Sequence, residues 1–122
     1  MSERISEAEL AVMEVLWRES PLTALDVAAR IDATRDWSDR TVKTMLGRLL
    51  AKGVLEHEED GRRYLYRPLV PRSDYVAGES QRLIDRLFGG RSAPLVAYLA
   101  EHHELSASDI AELEALVREL KA

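Results

Sequence analysis

With 122 residues, the chain is long enough for one compact domain or a small domain with an appendage, and too short for two full ones. Its 46% hydrophobic and 32% charged residues, with six Gly and four Pro, exclude a disordered chain and favour a helical globular protein. The lack of cysteine excludes a disulfide framework, a thiolate metal site and a cysteine nucleophile, while a net charge of −5 argues against a generic polyanion coat.

Ser6 followed by Glu9 is a capping-box pattern, in which each side chain satisfies an orphan backbone N–H at a helix start. Leu10, Met13, Leu16 and Trp17 follow at helical spacing and predict a first helix over residues 7–18. "SPLT" breaks it, and Thr23 with Asp26 opens a second helix through about Ile31. "DATRDW" reads as a connector; Ser38 caps a third helix that runs to Lys52 and stops at Gly53. The last two helices are spaced as a helix-turn-helix. The period then changes. In "VLEHEEDGRRYLYRPL", the β-prone arms around Val54-Leu55 and Tyr64-Leu65-Tyr66 flank Asp60-Gly61, which predicts a hairpin turning at that pair. Two strands alone are marginal in water, so the hairpin must pack on the helices.

From Ser73 the chain is helical again: about 73–88, closed by Gly89-Gly90; about 92–102, containing "APLVAYLAEH"; and a last helix from Ser106 or Ser108 that aligns Ile110, Leu113, Leu116, Val117 and Leu120. The expected fold class is mainly α with a small β-hairpin wing. A winged helix-turn-helix head would occupy 1–71 and a helical dimerisation region 72–122. No apolar run approaches the roughly 18 residues that span a bilayer, and "MSERISEAEL" lacks the parts of a signal peptide. A cytoplasmic protein without membrane insertion is expected.

The charge is polarised along the chain. Nine Lys/Arg stand against six Asp/Glu from Arg35 to Arg72, and five against eight after Val76. From Arg40 to Lys52 no acid occurs, and the third helix carries Val42, Met45, Leu46, Leu49 and Leu50 on one side with its basic and hydroxyl residues on the other. A rod of about 22 Å fits across a major groove about 12 Å wide. Arg40, Lys43 and Thr44 are the candidates for base edges of double-stranded DNA, and Ser38, Thr41 and Arg48 for phosphates. Arg62 and Arg63 at the wing tip would reach the flanking backbone or minor groove, supported by Tyr66 or Arg67. The alternatives are a solvated surface helix and a winged-helix module that docks proteins.

An appendage of short helices cannot bury much surface on itself. Leu83, Leu87, Leu95, Leu99, Leu113 and Leu116 are most economically covered by a second copy, making a homodimer; packing back on the chain's own head is the alternative. His102 and His103 are sequence neighbours about 100° apart on a helix, so they cannot share a metal as an i, i+4 pair would. With Glu101 or Glu104 they could make the surface zinc site of a metal-responsive regulator; otherwise they end a solvated helix, and His57 is the remaining histidine. No Ser sits in a nucleophile elbow, Gly89-Gly90 lacks a phosphate-loop context, and Glu58-Glu59-Asp60 lie at a turn. No catalytic residue, metal or cofactor is expected, and the chain reads as a non-enzyme.

"DWSDRTVKTMLGRLLAKGVL" resembles the recognition helix and first wing strand of the BlaI/MecI/CopY family, the bacterial penicillinase-type repressors. The matching positions are Trp37, Ser38, Arg40, Thr41, Val42, Lys43, Thr44, Met45, Leu46, Arg48 and Leu49. "ISEAELAVMEVLW", "YLYRPLV", "LIDRLFGG" and "PLVAYLAEHHELSASDIAELEALV" are similar to further family segments in order and spacing, so the likeness covers nearly the whole chain. The resemblance implies a dimeric repressor on dyad operators, upstream of β-lactamase or related stress genes. It also implies release by cleavage in the dimerisation region, through a membrane sensor protease. The corresponding segment here is "VAYLAE", with the bond at Tyr98-Leu99, where the family's usual Asn-Phe pair is absent. Copper-sensing members carry C-terminal cysteines, and this chain has none. Gly47 stands where a small hydroxyl residue is common in the family.

Overall fold

The computed structural model describes residues 4–31 and 33–122. Six helices and one hairpin appear among them in chain order: α1 (Glu7–Arg18), α2 (Ala24–Arg30), α3 (Asp39–Ala51), β1 (Leu55–Asp60), β2 (Arg63–Pro68), α4 (Arg72–Phe88), α5 (Ser92–Glu101) and α6 (Ala107–Lys121). A 3-10 turn at Ala33–Arg35 lies between α2 and α3. The chain forms two compact units, one up to Tyr75 and one from Val76 to Ala122. α4 starts in the first and continues in the second.

The helix starts follow their caps. Ser6 and Thr23 each complete a reciprocal capping box, with Glu9 and Asp26, and Ser38 accepts from the Thr41 backbone N–H. α3 ends in a Schellman motif. Gly53 takes φ +76°, its N–H donates to the Leu50 carbonyl, and the Val54 N–H donates to the Leu49 carbonyl at 3.2 Å. Val54 and Leu49 are both buried, so the cap aims the chain directly into β1.

Helical spacing puts Val12, Met13, Val15 and Leu16 of α1, Val27 of α2, and Val42, Met45, Leu46 and Leu49 of α3 into one core, closed by Leu22, Val54 and Leu55. This is the three-helix frame of a winged helix-turn-helix. The expected stripe on α1 differs at its start: Glu9 is buried and Leu10 only half-buried. Glu9 tolerates burial because the Ser6 N–H of the capping box and the Lys52 ammonium both bond to its Oε1.

β1 and β2 pair antiparallel with Asp60 opposite Arg63, which leaves a two-residue loop, Gly61-Arg62. The turn therefore sits one residue later than the Asp60-Gly61 pair that the sequence suggests. Asp60 is the last paired residue, and Gly61 supplies the positive φ of +68° at the first loop position, as a type II′ hairpin requires. The hairpin is tied to the helices through Leu22, whose N–H and carbonyl both bond to Tyr66, at 3.1 and 2.8 Å. Trp17 on α1 donates its indole N–H to the Val70 carbonyl at 2.8 Å and lies 5.6 Å from the Tyr75 ring. Arg72 pairs with Glu14 at 2.8 Å, so the first turn of α4 is fixed to α1.

In the second unit, no described residue from Val76 onward is buried. Leu83, Leu87 and Leu116 are exposed, Leu95, Leu99 and Leu113 half-buried, and Leu120 is 85% exposed. Ser106 caps α6 in a third reciprocal capping box, with Asp109. α5 ends with His103 in the left-handed region at φ 57° and the Glu104 N–H on the Leu99 carbonyl at 2.9 Å. No described helix is long and apolar enough to cross a membrane.

Candidate nucleic-acid interface

The buried stripe of α3 fixes what its other side presents. With Val42, Met45, Leu46 and Leu49 inward, Arg40, Lys43, Thr44, Gly47 and Arg48 are all exposed and Thr41 is half-buried. The Thr44 hydroxyl donates to the Arg40 carbonyl at 3.0 Å, and the Ser38 and Thr41 hydroxyls lie 3.1 Å apart over the helix start. Those three hydroxyls are positioned by the helix itself, whereas the cationic side chains project into solvent. A Cβ placed on Gly47 would meet nothing within 4 Å, so no contact inside the protein requires glycine there.

Ion pairing separates the head's cations into two groups. Arg30 is paired with Glu19, Lys52 with Glu9, Arg63 with Asp60, Arg67 with Glu56 and Glu58, and Arg72 with Glu14. Among the described residues, Arg40, Lys43 and Arg48 on α3, Arg35 just before it and Arg62 at the wing tip have no carboxylate within ion-pair distance. Arg18 also lacks one, but its Nε is engaged with the Glu14 carbonyl. Within the head, then, the cations without a carboxylate partner lie, Arg18 aside, on or just before one helix face and at one hairpin tip.

The wing's own acids shape its chemistry. Hydrogen bonds and charge from Glu58 and Glu56 hold the Arg67 guanidinium further into its charged state, and the Arg63 fork rests on Asp60 Oδ2 at 2.9 and 3.2 Å. Arg62 occupies the second loop position with no such partner among the described residues. Tyr66 is half-buried at the core margin, where burial pushes its phenol up, and His57 lies between the two wing tyrosines, 4.6 Å from Tyr64 and 5.7 Å from Tyr66. This aromatic row stiffens one face of the hairpin.

Sequence reasoning missed two contributors. Lys52 reaches from the C-cap of α3 to Glu9 Oε1 at 2.6 Å and to the Arg4 carbonyl at 2.9 Å, locking the far end of the helix onto the start of α1. Arg35 lies over the Trp37 ring, 5.1 Å from its centroid. The signal for the second was present as a basic residue two positions before a tryptophan, but the pairing depends on Asp36 adopting φ 45°, which spacing alone does not reveal.

The remaining candidate site residues lie in the second unit. Tyr98 is exposed and Leu99 half-buried inside α5; the Tyr98 carbonyl accepts from the His102 backbone N–H at 3.1 Å and lies 2.9 Å from its Nδ1. The His102 ring stacks on Tyr98 at 4.0 Å and His103 forms the left-handed helix end, so both histidines have a structural role there. Among the described residues no group of three His, Cys, Asp or Glu side chains converges as a metal site.

The model for the penicillinase repressor family matches residues 5–119. The chain belongs to that family. The penicillinase repressor of Bacillus licheniformis is 36% identical over 118 residues, which is 97% of this chain and 92% of the relative. The methicillin resistance regulatory protein MecI of Mammaliicoccus sciuri is 33% identical, with 89% of each chain covered. Among solved structures, the monomeric form of Bacillus licheniformis BlaI in complex with the blaP half-operator is 41% identical with a TM-score of 0.52. That match covers 62% of this chain and 92% of the other. The winged-helix head is therefore the fold of a penicillinase repressor.

Proposed function

We propose that this chain is a cytoplasmic, homodimeric transcriptional repressor that binds a pseudo-palindromic operator in double-stranded DNA. The observation that carries the reading is that in the winged-helix head the described cations without a carboxylate partner, Arg18 aside, lie on or just before the exposed face of α3 and at the wing tip, in a chain of net charge −5. Phosphate contacts need cations not already neutralised, because their binding energy comes from displaced counterions. Arg40, Lys43 and Thr44 read base edges; Ser38, Thr41 and Arg48 set the helix on phosphates. On the wing, Arg62 makes the primary contact. Arg63 joins it only by exchanging Asp60 for a phosphate, and Tyr66 supports the wing from the core.

The relatives support the regulatory side of the proposal, since they are named as repressors of penicillinase and regulators of methicillin resistance, and one BlaI structure holds a half-operator. The genes controlled are a β-lactamase-type or related stress-response operon. Leu83, Leu87, Leu95, Leu99, Leu113 and Leu116 pack against the second copy, which places two heads on the two half-sites. Release proceeds by cleavage at Tyr98-Leu99 through a membrane sensor protease. Because that bond lies within α5, the last turns of the helix must unwind before a protease can hold it extended.

The test is selection of bound sequences from a random duplex library by the purified protein. Enrichment of one pseudo-palindrome, with half-sites a whole number of helical turns apart, is expected. Lys43→Ala should then relax preference at one position by about 1–3 kcal/mol. Uniform weakening would make Lys43 a phosphate contact. No enrichment at low salt from folded protein would refute the DNA-binding reading and favour a protein-docking module.

A further inference from the structure

We propose that Arg35 is a DNA-backbone contact at the leading edge of α3, held in position by the indole of Trp37. The inference rests on the reading of α3 as the helix that faces DNA, and extends it to a residue outside the helix. Arg35 ends the 3-10 turn Ala33–Arg35, and the next residue, Asp36, adopts φ 45°. A left-handed residue reverses the chain locally, and Asp tolerates that conformation better than most residues. The reversal brings the guanidinium of Arg35 over the ring of Trp37, 5.1 Å from its centroid.

The two partners differ in a useful way. Trp37 is half-buried and packs against the core, so its ring is a fixed surface, whereas Arg35 is exposed. The cation–π contact holds the guanidinium over the ring, and among the described residues no hydrogen bond to another group competes for its N–H donors. An arginine held this way has given up rotamer freedom before its ligand arrives, without spending hydrogen bonds. Among the described residues no carboxylate pairs with it, although Asp36 and Asp39 are close in sequence. Those two acids would repel phosphate at the start of α3, and Arg35 with Arg40 offsets them. The ligand chemistry is a phosphodiester oxygen of duplex DNA, which carries no sequence information.

The experiment compares the full chain with Arg35→Gln and Arg35→Lys on one duplex of the selected sequence, across a series of salt concentrations. Arg35→Gln should bind about tenfold more weakly, as expected for one lost charge-assisted hydrogen bond. Its plot of log affinity against log salt should be shallower by about 0.9, the slope of one phosphate contact. It should select the same sequence and melt within a few degrees of the parent, since only an exposed cation–π contact is lost. Arg35→Lys should restore the slope, but only part of the affinity, because an ammonium lacks the planar fork of donors. An Arg35→Gln slope equal to the parent's, whatever its affinity, overturns the proposal while leaving α3 as the reading helix. Failure of the parent itself to bind any duplex removes the reading of α3, and this proposal with it.

Discussion

Replacing Lys52 by Met probes how α3 is fixed to the rest of the head. The Lys52 ammonium bonds to Glu9 Oε1 at 2.6 Å and to the Arg4 carbonyl at 2.9 Å. Glu9 is only 2% exposed, and its Oε2 has no hydrogen-bond partner among the described residues. Without the lysine, the carboxylate keeps the Ser6 N–H and loses its counter-charge. Breaking a buried pair by removing one partner costs about 3–5 kcal/mol, and the 20% exposure of Lys52 places this case near about 3 kcal/mol. At about 4–8 °C per kcal/mol for a domain of this size, the head should melt some 12–24 °C lower. Fluorescence reports the head directly, because both tryptophans, Trp17 and Trp37, lie within it.

The same substitution has a pH signature. Burial alone pushes the Glu9 carboxyl up, but Lys52 and the two Ser6 hydrogen bonds outweigh it and hold the group below the usual carboxylate range. A depressed folded value means that the stabilisation is complete above the unfolded value of 4.5 and is lost as pH falls through the folded one. In Lys52→Met both lowering effects of the lysine are gone and the carboxyl moves up relative to the parent, so acid weakens the variant less than it weakens the parent. The gap in stability should therefore narrow between neutral pH and about pH 4. A gap below about 0.5 kcal/mol at neutral pH, the size of an ordinary surface change, or one that does not change with pH, would refute this account.

Gly47→Ala should stabilise the free protein by about 1 kcal/mol, since a Cβ there meets nothing within 4 Å and alanine is the better helix former. If operator affinity falls despite that gain, DNA approaches the helix closely at Gly47; equal affinity measured by titration would show that it does not. Leu116→Glu places a charge on an exposed apolar position of α6, and at micromolar concentration sedimentation should show a dimer for the parent and a monomer for the variant. An unchanged dimer would place the subunit interface on other residues.

Much of the head was legible from the sequence because its signals are local. Capping boxes at Ser6 and Thr23, the serine cap at Ser38 and the glycine stop at Gly53 act within a few residues of themselves, and the structure carries each of them. The apolar stripe of α3 settled which side faces the core, and so which side is left for a ligand. The change of period before Asp60-Gly61 announced the hairpin. Its turn lies one residue further on, since strand register depends on pairing with β2 as well as on local turn preference.

What tertiary structure decided concerns charge. Sequence alone assigns every Arg and Lys the same formal charge, and so places Arg62, Arg63 and Arg67 together as wing cations. Antiparallel register sets Asp60 against Arg63 and brings Glu56 and Glu58 within reach of Arg67, leaving only Arg62 of the three unpaired among the described residues. Likewise Glu9 and Lys52, 43 positions apart, become one buried pair only when α1 packs on α3, and Arg35 meets Trp37 only through the left-handed turn at Asp36. Helix and turn formation are governed by neighbours in sequence. Neutralisation of a charge is governed by neighbours in space, so the sequence by itself determined the fold of the head, and the packing decided which of its cations remain free to bind.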